Sequence, residues 1–408
     1  MKVCFISNLY YPFIVGGAEI SVQRIAEKMV QEGHDVFVIT TNIKRGRSEE
    51  KINGVKVYRL GLANVYSPYS STKKPYYLKS LYWLLNFWNP YSYIAIKEIL
   101  KAEFPDIVHI NNYRGLSLAV FSVVKDLNLP LVFTARDYST ICLKTNLLNS
   151  EGKVCKAPSK LCRLHNNIVK SIIQNKPDVV ITASKFVIHK LKENHIFEST
   201  RCVVLPNAID LGEILSSEKD YNTIDILYVG SLSKHKGVEI LVNAFKDLQS
   251  TNAVLHIVGK GSYVEHLKKI SNGDRRIVFH GFLQGSDLSD LYRKANLTIV
   301  PSIWYEPFGL TIIESFKHGT PVLGSKIGGI QEIIEEGRNG LLFEPGNVLE
   351  LREKLEHLIK SPSELAKLEA GAFLDVHQYD LSVHVSKLED VYKMCTGIAN
   401  KSSMTVTK

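Results

Sequence analysis

The strongest constraint on this chain is a rhythm of short Val- and Ile-rich runs alternating with longer amphipathic stretches. Runs apolar along their whole length suit strands buried on both faces, which is the situation of a parallel sheet covered by helices. The rhythm occurs twice. The first series comprises "KVCFIS", "DVFVITT", "VKVYRL", "DIVHI", "PLVFTA", "DVVITAS" and "CVVLPN". The second comprises "DILYVGS", "AVLHIVGKG", "RIVFHGF", "LTIVPS", "PVLGS" and "GLLFEP". Two series predict an α/β chain of two Rossmann-like domains, and 408 residues are enough for each to bury its own core. The join falls between "PNAID" (Pro206–Asp210) and "IDILYVG" (Ile224–Gly230), where the polar "LGEILSSEKDYNT" has no strand pattern. Open α/β sheets bind ligands outside the carboxyl ends of their strands, so two of them facing each other predict a cleft.

The loops after the strands carry groups suited to an anion. Gly16 and Gly17 follow the first strand and open an amphipathic helix, where a close backbone and free N–H groups favour phosphate. A plain tight turn fits the same pair. In "YVGSLSKHKG" the cations Lys234 and Lys236 precede Gly237 and a second helix, so at least one can reach a phosphate beside the helix dipole. The stretch "EPFGLTIIE" adds two carboxylates, Glu306 and Glu314. Pro307 suits a first helical turn, which predicts Glu306 at or just before the N-terminus and Glu314 about 12 Å further along the axis. The amides of Phe308, Gly309 and Leu310 would lie near the first acid. A nucleotide-diphosphate sugar has hydroxyls, a diphosphate and ribose hydroxyls in matching order.

These residues resemble glycosyltransferase family 4, the retaining enzymes of GT-B fold with a Glu-x7-Glu signature. "GGAE", "DIVHI", "PNAID", "VGSLSKHKG", "IVGKG", "EPFGLTIIE" and "GGIQE" occur in the family's order along nearly the whole chain. The resemblance implies an acceptor-binding domain over residues 1–205 and a nucleotide-sugar-binding domain over 206–375. It also implies a helix over 376–395 returning to the first domain, with a flexible tail over 396–408. It assigns the donor sugar to Glu306, the ribose to Glu314 and the diphosphate to Lys236 with amides of Gly16, Gly17, Phe308, Gly309 and Leu310. The backbone near Phe282 and Leu283 would meet the nucleobase. Glu332, in "GGIQE", either lines this pocket or caps a helix.

Two positions depart from the family's pattern. Ser231 stands where an Arg is common, which leaves more of the charge to Lys236 or Lys234. Arg136, before Asp137 in "FTARDYS", stands where a His-Asp pair is common, on the side expected to orient the acceptor. His109 is either a nearby acceptor-side group or an ordinary hydrogen-bonded histidine. In the implied reaction the anomeric bond to phosphate loosens while the acceptor hydroxyl attacks from the same face. No Asp-x-Asp pair occurs, so neither a metal nor any cofactor beyond the nucleotide-sugar substrate is expected. The substituted Arg136 motivates a second reading, a nucleotide-sugar-binding protein that has lost catalysis.

Charge and cysteine usage bound the partners. A formal charge of +9 and a pI near 9.0 fit either an anionic partner or a solvated basic face. Without a recognition helix or stacking motif, nucleic acid is not expected. Cys142, Cys155, Cys162 and His165 are spaced C-x12-C-x6-C-x2-H, either a zinc set or incidental thiols. Six cysteines in so long a chain fit a reducing compartment. The first residues lack a signal-peptide core and "LYWLLNFW" is too short to span a bilayer, so a cytoplasmic protein is expected. The aromatic and basic "SPYSSTKKPYYLKSLYWLLNFWNPYSYIAI" is either a helix with one core face or a surface for a membrane and a lipid-linked glycan acceptor.

Overall fold

The computed structural model describes residues 1–43, 46–61, 64–66, 75–212 and 219–397. The segment 67–74 of the aromatic stretch, residues 213–218 of the join and the tail from 398 onward lie outside the described residues.

Strands β1 (Lys2–Ile6), β2 (Asp35–Thr41), β3 (Ser48–Ile52), β4 (Val55–Leu60), β5 (Ile107–Ile110), β6 (Leu131–Ala135), β7 (Val179–Thr182) and β8 (Arg201–Val204) form one sheet. Its order is β3-β4-β2-β1-β5-β6-β7-β8. Every pairing is parallel except β3 with β4. Register is fixed by burial: Val3 pairs Val36 and Ile107, Phe5 pairs Val38 and His109, and every one of these side chains is buried. The strand β3, "SEEKI", is exposed apart from its last residue and carries no apolar run. Its signal is the turn, since Asn53 and Gly54 both adopt positive φ (48° and 88°) and join β3 to β4 as a tight hairpin.

The second sheet comprises β9 (Ile224–Val229), β10 (Ala253–Val258), β11 (Ile277–Gly281), β12 (Leu297–Val300), β13 (Val322–Ser325) and β14 (Gly340–Phe343). All its pairings are parallel, in the order β11-β10-β9-β12-β13-β14. The order reverses direction between β9 and β12, and between β1 and β5 in the first sheet. At such switch points neighbouring loops diverge and leave a crevice.

Helices α1 (Gly17–Gln31), α2 (Tyr76–Phe87), α3 (Pro90–Glu103), α4 (Ala119–Asp126), α5 (Lys160–Ile173) and α6 (Lys185–Glu193) accompany the first sheet. Polar residues set their starts: Asn89 caps α3 ahead of Pro90, Ser159 caps α5 and Ser184 caps α6. Around the second sheet lie α7 (Val238–Lys246), α8 (Val264–Ser271), α9 (Ser286–Lys294), α10 (Leu310–Lys317), α11 (Ile330–Ile333), α12 (Val348–Ile359) and α13 (Pro362–Asp375). The last helix, α14 (Leu381–Thr396), packs Val385, Leu388, Val391 and Tyr392 into the apolar layer formed by β1, β2 and α1. The chain crosses between the two units twice at one place, where Ile209 N–H donates to Tyr379 and Leu381 N–H donates to Ile209.

Candidate active site

The loops leaving β9 and β12 meet at the switch point of the second sheet. Lys234–Lys236 form one 3-10 turn that ends at Gly237, φ 73°. A side chain at Gly237 would lie 1.7 Å from the carbonyl oxygen of Pro301, so only glycine lets the two loops touch. Ile303 N–H donates to the His235 carbonyl at 3.0 Å and fixes their register. Across this seam the Lys236 ammonium donates to Glu306 Oε1 while lying 5.1 Å from the centre of the Trp304 ring. Ser302 Oγ donates to the same oxygen at 3.1 Å, and Oε2 has no partner among the described residues. Ser231 remains in its loop, its carbonyl accepting from the Tyr228 hydroxyl at 2.9 Å.

One expectation about "EPFGLTIIE" is corrected. Helix α10 begins at Leu310 with Gly309 as its N-cap, so Glu306 and Pro307 belong to the loop rather than to the first turn. The backbone there is held elsewhere: Gly329 N–H donates to the Glu306 carbonyl at 2.7 Å and Ser184 Oγ to the Pro307 carbonyl at 2.7 Å. The amides of Phe308 and Gly309 have no acceptor among the described residues. Ile312 N–H donates to the Gly309 carbonyl at 2.9 Å, so the amides at this helix start without an acceptor among the described residues are those ahead of it, and such amides suit an anion.

Glu314 lies one turn into α10 and takes a 3.4 Å hydrogen bond from the Tyr292 hydroxyl. Burial pushes its carboxyl above the usual range, opposed by the positive charge of Arg24 on α1 and by that hydroxyl. Tyr292 is also packed by Leu283. The next residue back, Phe282, exposes 58% of its surface, with the Lys260 ammonium 4.6 Å from its ring centre. Leu283, Tyr292 and Glu314 therefore form one wall, with the exposed Phe282 next in the chain.

The first domain approaches this wall closely. A side chain at Gly17 would lie 2.6 Å from Leu310 Cδ1, so the start of α1 abuts the start of α10. The amide of Gly16 is already used, because it donates to Glu19 Oε2 at 2.8 Å. That carboxylate occupies the place a phosphate would take at α1, which removes Gly16 from the set of free amides. Glu332 on α11 accepts from the amides of Lys185 (2.8 Å) and Phe186 (2.7 Å), so it caps α6 of the other domain.

The expected acceptor-side residues are placed differently from one another. Arg136 is spanned by Asn111, Ser21 and Asn207, with contacts of 2.7–3.1 Å that tie two strand ends to α1. Burial lowers its pKa to about 10, countered by Glu19, so the guanidinium remains charged at neutral pH. Asp137 accepts from Ser139 N–H at 2.8 Å. His109 is not brought to the cleft: it is 2% exposed, bonded to the Tyr392 hydroxyl at 2.7 Å and to Thr134 Oγ1 at 2.6 Å. No motif marks Tyr138, whose buried hydroxyl has no hydrogen-bond partner among the described residues and is faced by the charge of Glu306. Its only signal is its position next to Asp137. Trp304, the platform under Lys236 in "SIWYEPFG", is likewise unmarked by any motif.

The four proposed zinc ligands do not converge. Among the described residues no three His, Cys, Asp or Glu are placed to hold a metal ion. Cys142, Cys155 and Cys162 line one cavity, whereas His165 sits edge-on to Trp83 (5.9 Å) and donates to or accepts from nothing in that cavity. Its Nδ1 meets Asn166 Oδ1 at 3.2 Å. In helix α2 of the aromatic stretch Tyr82 is buried, while Tyr77, Leu81, Leu84 and Trp88 are exposed at helical spacing. No helix among the described residues is long and apolar enough to cross a membrane.

Two parallel-sheet domains whose strand-end loops gather a lysine, two glutamates and a helix start define the GT-B class of glycosyltransferases. HepE from Anabaena, solved with UDP-glucose, shares this fold with a TM-score of 0.72 at 18% identity, over 97% of this chain and 100% of that one. The lipopolysaccharide outer core galactosyltransferase WaaB matches with a TM-score of 0.67 at 17% identity, over 96% and 98%. In sequence, a 42.6 kDa protein of the cps region of Klebsiella pneumoniae is 29% identical over 336 residues, covering 82% of this chain and 87% of its own. The family model described as Glycosyltransferase Family 4 matches residues 15–213, and that described as Glycosyl transferases group 1 matches 214–373. The chain belongs to glycosyltransferase family 4.

Proposed function

We propose that this glycosyltransferase is a retaining enzyme that moves a sugar from a nucleotide-diphosphate donor to a glycan or lipid-linked acceptor in the building of a cell-surface polysaccharide or glycolipid. The observation that carries the reading is the Lys236–Glu306 pair beside the start of α10, with Glu314 one turn further on. On donor binding, sugar hydroxyls take the Glu306 carboxylate and the diphosphate takes the Lys236 ammonium together with the free amides of Phe308 and Gly309. Ribose hydroxyls take Glu314, and the base lies along Phe282 and Leu283. Lys236, Trp304 and the helix dipole supply charge stabilisation without a divalent ion, and catalysis is mostly positioning plus stabilisation of the leaving diphosphate.

The UDP-glucose held by HepE supports a nucleotide-sugar donor, and the galactosyltransferase activity named for WaaB supports a lipopolysaccharide-like product. The exposed apolar face of α2 supports work at the inner face of a membrane with the protein in the cytoplasm. A mass-spectrometric screen of nucleotide sugars for binding and slow hydrolysis, run in EDTA, tests this reading. At least one donor should bind and be hydrolysed. Tight binding of a donor without hydrolysis, and without transfer to any polyprenyl-linked or glycan acceptor, would support instead a binding protein in which Arg136 has replaced a catalytic group.

A further inference from the structure

The segment between β6 and α5 builds a feature that the donor site does not use. Residues 147–155 fold back as a short hairpin: Leu148 bridges Val154, Asn149 N–H bonds the Lys153 carbonyl at 2.8 Å, and Cys155 N–H bonds the Leu147 carbonyl at 2.7 Å. To enter it the chain places two non-glycine residues, Thr145 (φ 66°) and Leu147 (φ 54°), in left-handed conformations. Such backbone is unfavourable by about 1 kcal/mol or more per residue and persists where surrounding structure requires it. Beneath the hairpin is a cavity of about 580 Å³, inside the range of roughly 300–1,000 Å³ usual for small-molecule sites.

Three properties of its lining specify an occupant. Ile141, Leu147 and Val154 provide an apolar wall. Lys144 and Lys156 provide two ammonium groups with no ion pair among the described residues, whereas the third lysine of the lining, Lys190, is bonded to Glu193 at 2.7 Å. Tyr305 closes the cavity from the second domain, with its ring 4.9 Å from Phe186 and the Lys190 ammonium 5.0 Å from its centre. Tyr305 immediately precedes Glu306, so a residue of the cavity wall is bonded directly to the residue paired with Lys236.

We infer that this cavity is the acceptor subsite, and that it takes an anionic saccharide: a sugar ring against Tyr305 and the apolar wall, with its carboxylate or phosphate on Lys144 and Lys156. Aromatic faces accept the C–H face of a sugar ring, and ammonium groups without partners favour a fixed anion over water. A hydroxyl of such a sugar reaches past Tyr305 to the donor at Glu306. The inference rests on the transferase reading above, to which it adds the acceptor's chemical class.

The cavity contains its own reporters, since Cys155 and Cys162 line it and are partly exposed, while Cys202 and Cys395 lie elsewhere and serve as controls. The rate of iodoacetamide alkylation at each cysteine is followed by peptide mass spectrometry with methyl glucuronide, glucose 1-phosphate or methyl glucoside. Nucleoside diphosphate binding is measured on the same samples. At a sugar concentration about ten times its Kd, an occupied cavity slows alkylation by roughly tenfold. The expected result is slowing at Cys155 and Cys162 by the glucuronide, the sugar phosphate or both, none at the controls, and loss of the effect in K144A/K156A. Protection by glucuronide alone identifies a carboxylate acceptor, and protection by the sugar phosphate alone a phosphorylated one. Equal protection by methyl glucoside that survives K144A/K156A overturns the anionic assignment. No protection by any of the three in protein that binds nucleoside diphosphate overturns the cavity assignment and leaves the donor site standing, whereas failure to bind any nucleoside diphosphate overturns the donor reading.

Discussion

The ammonium of Lys236 and the carboxylate of Glu306 are bonded to one another although 70 positions separate them in the chain. Their elements meet because β9 and β12 are neighbours at the switch point, and because Gly237 lets one loop touch the other. Without a donor the two charges satisfy each other at low exposure, so the site is held in shape before any ligand arrives. A donor that separates them must offer hydroxyls to one and phosphate to the other, which is a form of selectivity.

Replacing Lys236 tests that division. K236A removes a charged contact to the diphosphate, and such contacts contribute about 1.5–3 kcal/mol, or roughly 10- to 100-fold in Kd. The loss should appear with a nucleoside diphosphate and be much smaller with the corresponding nucleoside, as read by isothermal titration calorimetry. Equal losses for both would place Lys236 away from the phosphates.

Glu332 should act on domain contact rather than on the ligand. E332A leaves the amides of Lys185 and Phe186 without their carboxylate, at a cost of about 1 kcal/mol for a lost helix cap. Hydrogen exchange of those amides should accelerate, with nucleotide affinity close to that of the native protein. Unchanged exchange with weakened nucleotide binding would make Glu332 a ligand residue.

The packing of α14 predicts sensitivity to acid. Burial lowers the pKa of His384 to about 4, with Arg136 and Lys387 adding to the shift and the Pro206 carbonyl opposing it. His109, beneath the same helix that carries His384, has its pKa lowered by burial and by Arg136 and His384. Between the ordinary histidine value near 6.5 and the native value near 4, the unfolded chain binds protons that the folded chain refuses, so stability falls as pH drops through that window. The His384 contribution is on the order of 3 kcal/mol. Urea unfolding at several pH values should show the slope, and H384N should reduce it; an unchanged slope in H384N would refute the assignment.

The exposed face of α2 predicts a membrane contact. Flotation with vesicles containing anionic lipid should carry the protein upward, and L84D/W88D should leave it at the bottom. Native protein that stays at the bottom would show that this face serves another purpose.

Both parallel sheets were legible in the sequence because strands buried on two faces must be apolar throughout, as in "KVCFIS" and "DILYVGS". β3 was not, because an exposed antiparallel edge needs no apolar residues, and only the Asn53–Gly54 turn announced it. In the site, the types of residue were readable and their pairings were not. Pro307 suggests a first helical turn with Glu306 at or just before it, whereas α10 starts only at Leu310 and the bonds from Gly329 and Ser184 hold Glu306 and Pro307 in a loop. The role of Glu332 at α6 depends on a contact between distant segments that no local pattern records, whereas Glu19 at the Gly16 amide follows from a three-residue spacing at the start of α1. His109 illustrates the same limit, since its position at a strand end says nothing about the helix that later covers it.

The central claim is that one donor spans the two glutamates, sugar at Glu306 and ribose at Glu314. Calorimetric titration of E306A and E314A with the free nucleoside diphosphate and with its sugar conjugate tests it most directly. E314A should weaken both ligands by roughly 10- to 100-fold, while E306A should bind the free nucleotide as the native protein does and lose affinity and transfer only with the sugar. Equal weakening of the free nucleotide by both variants would contradict the account.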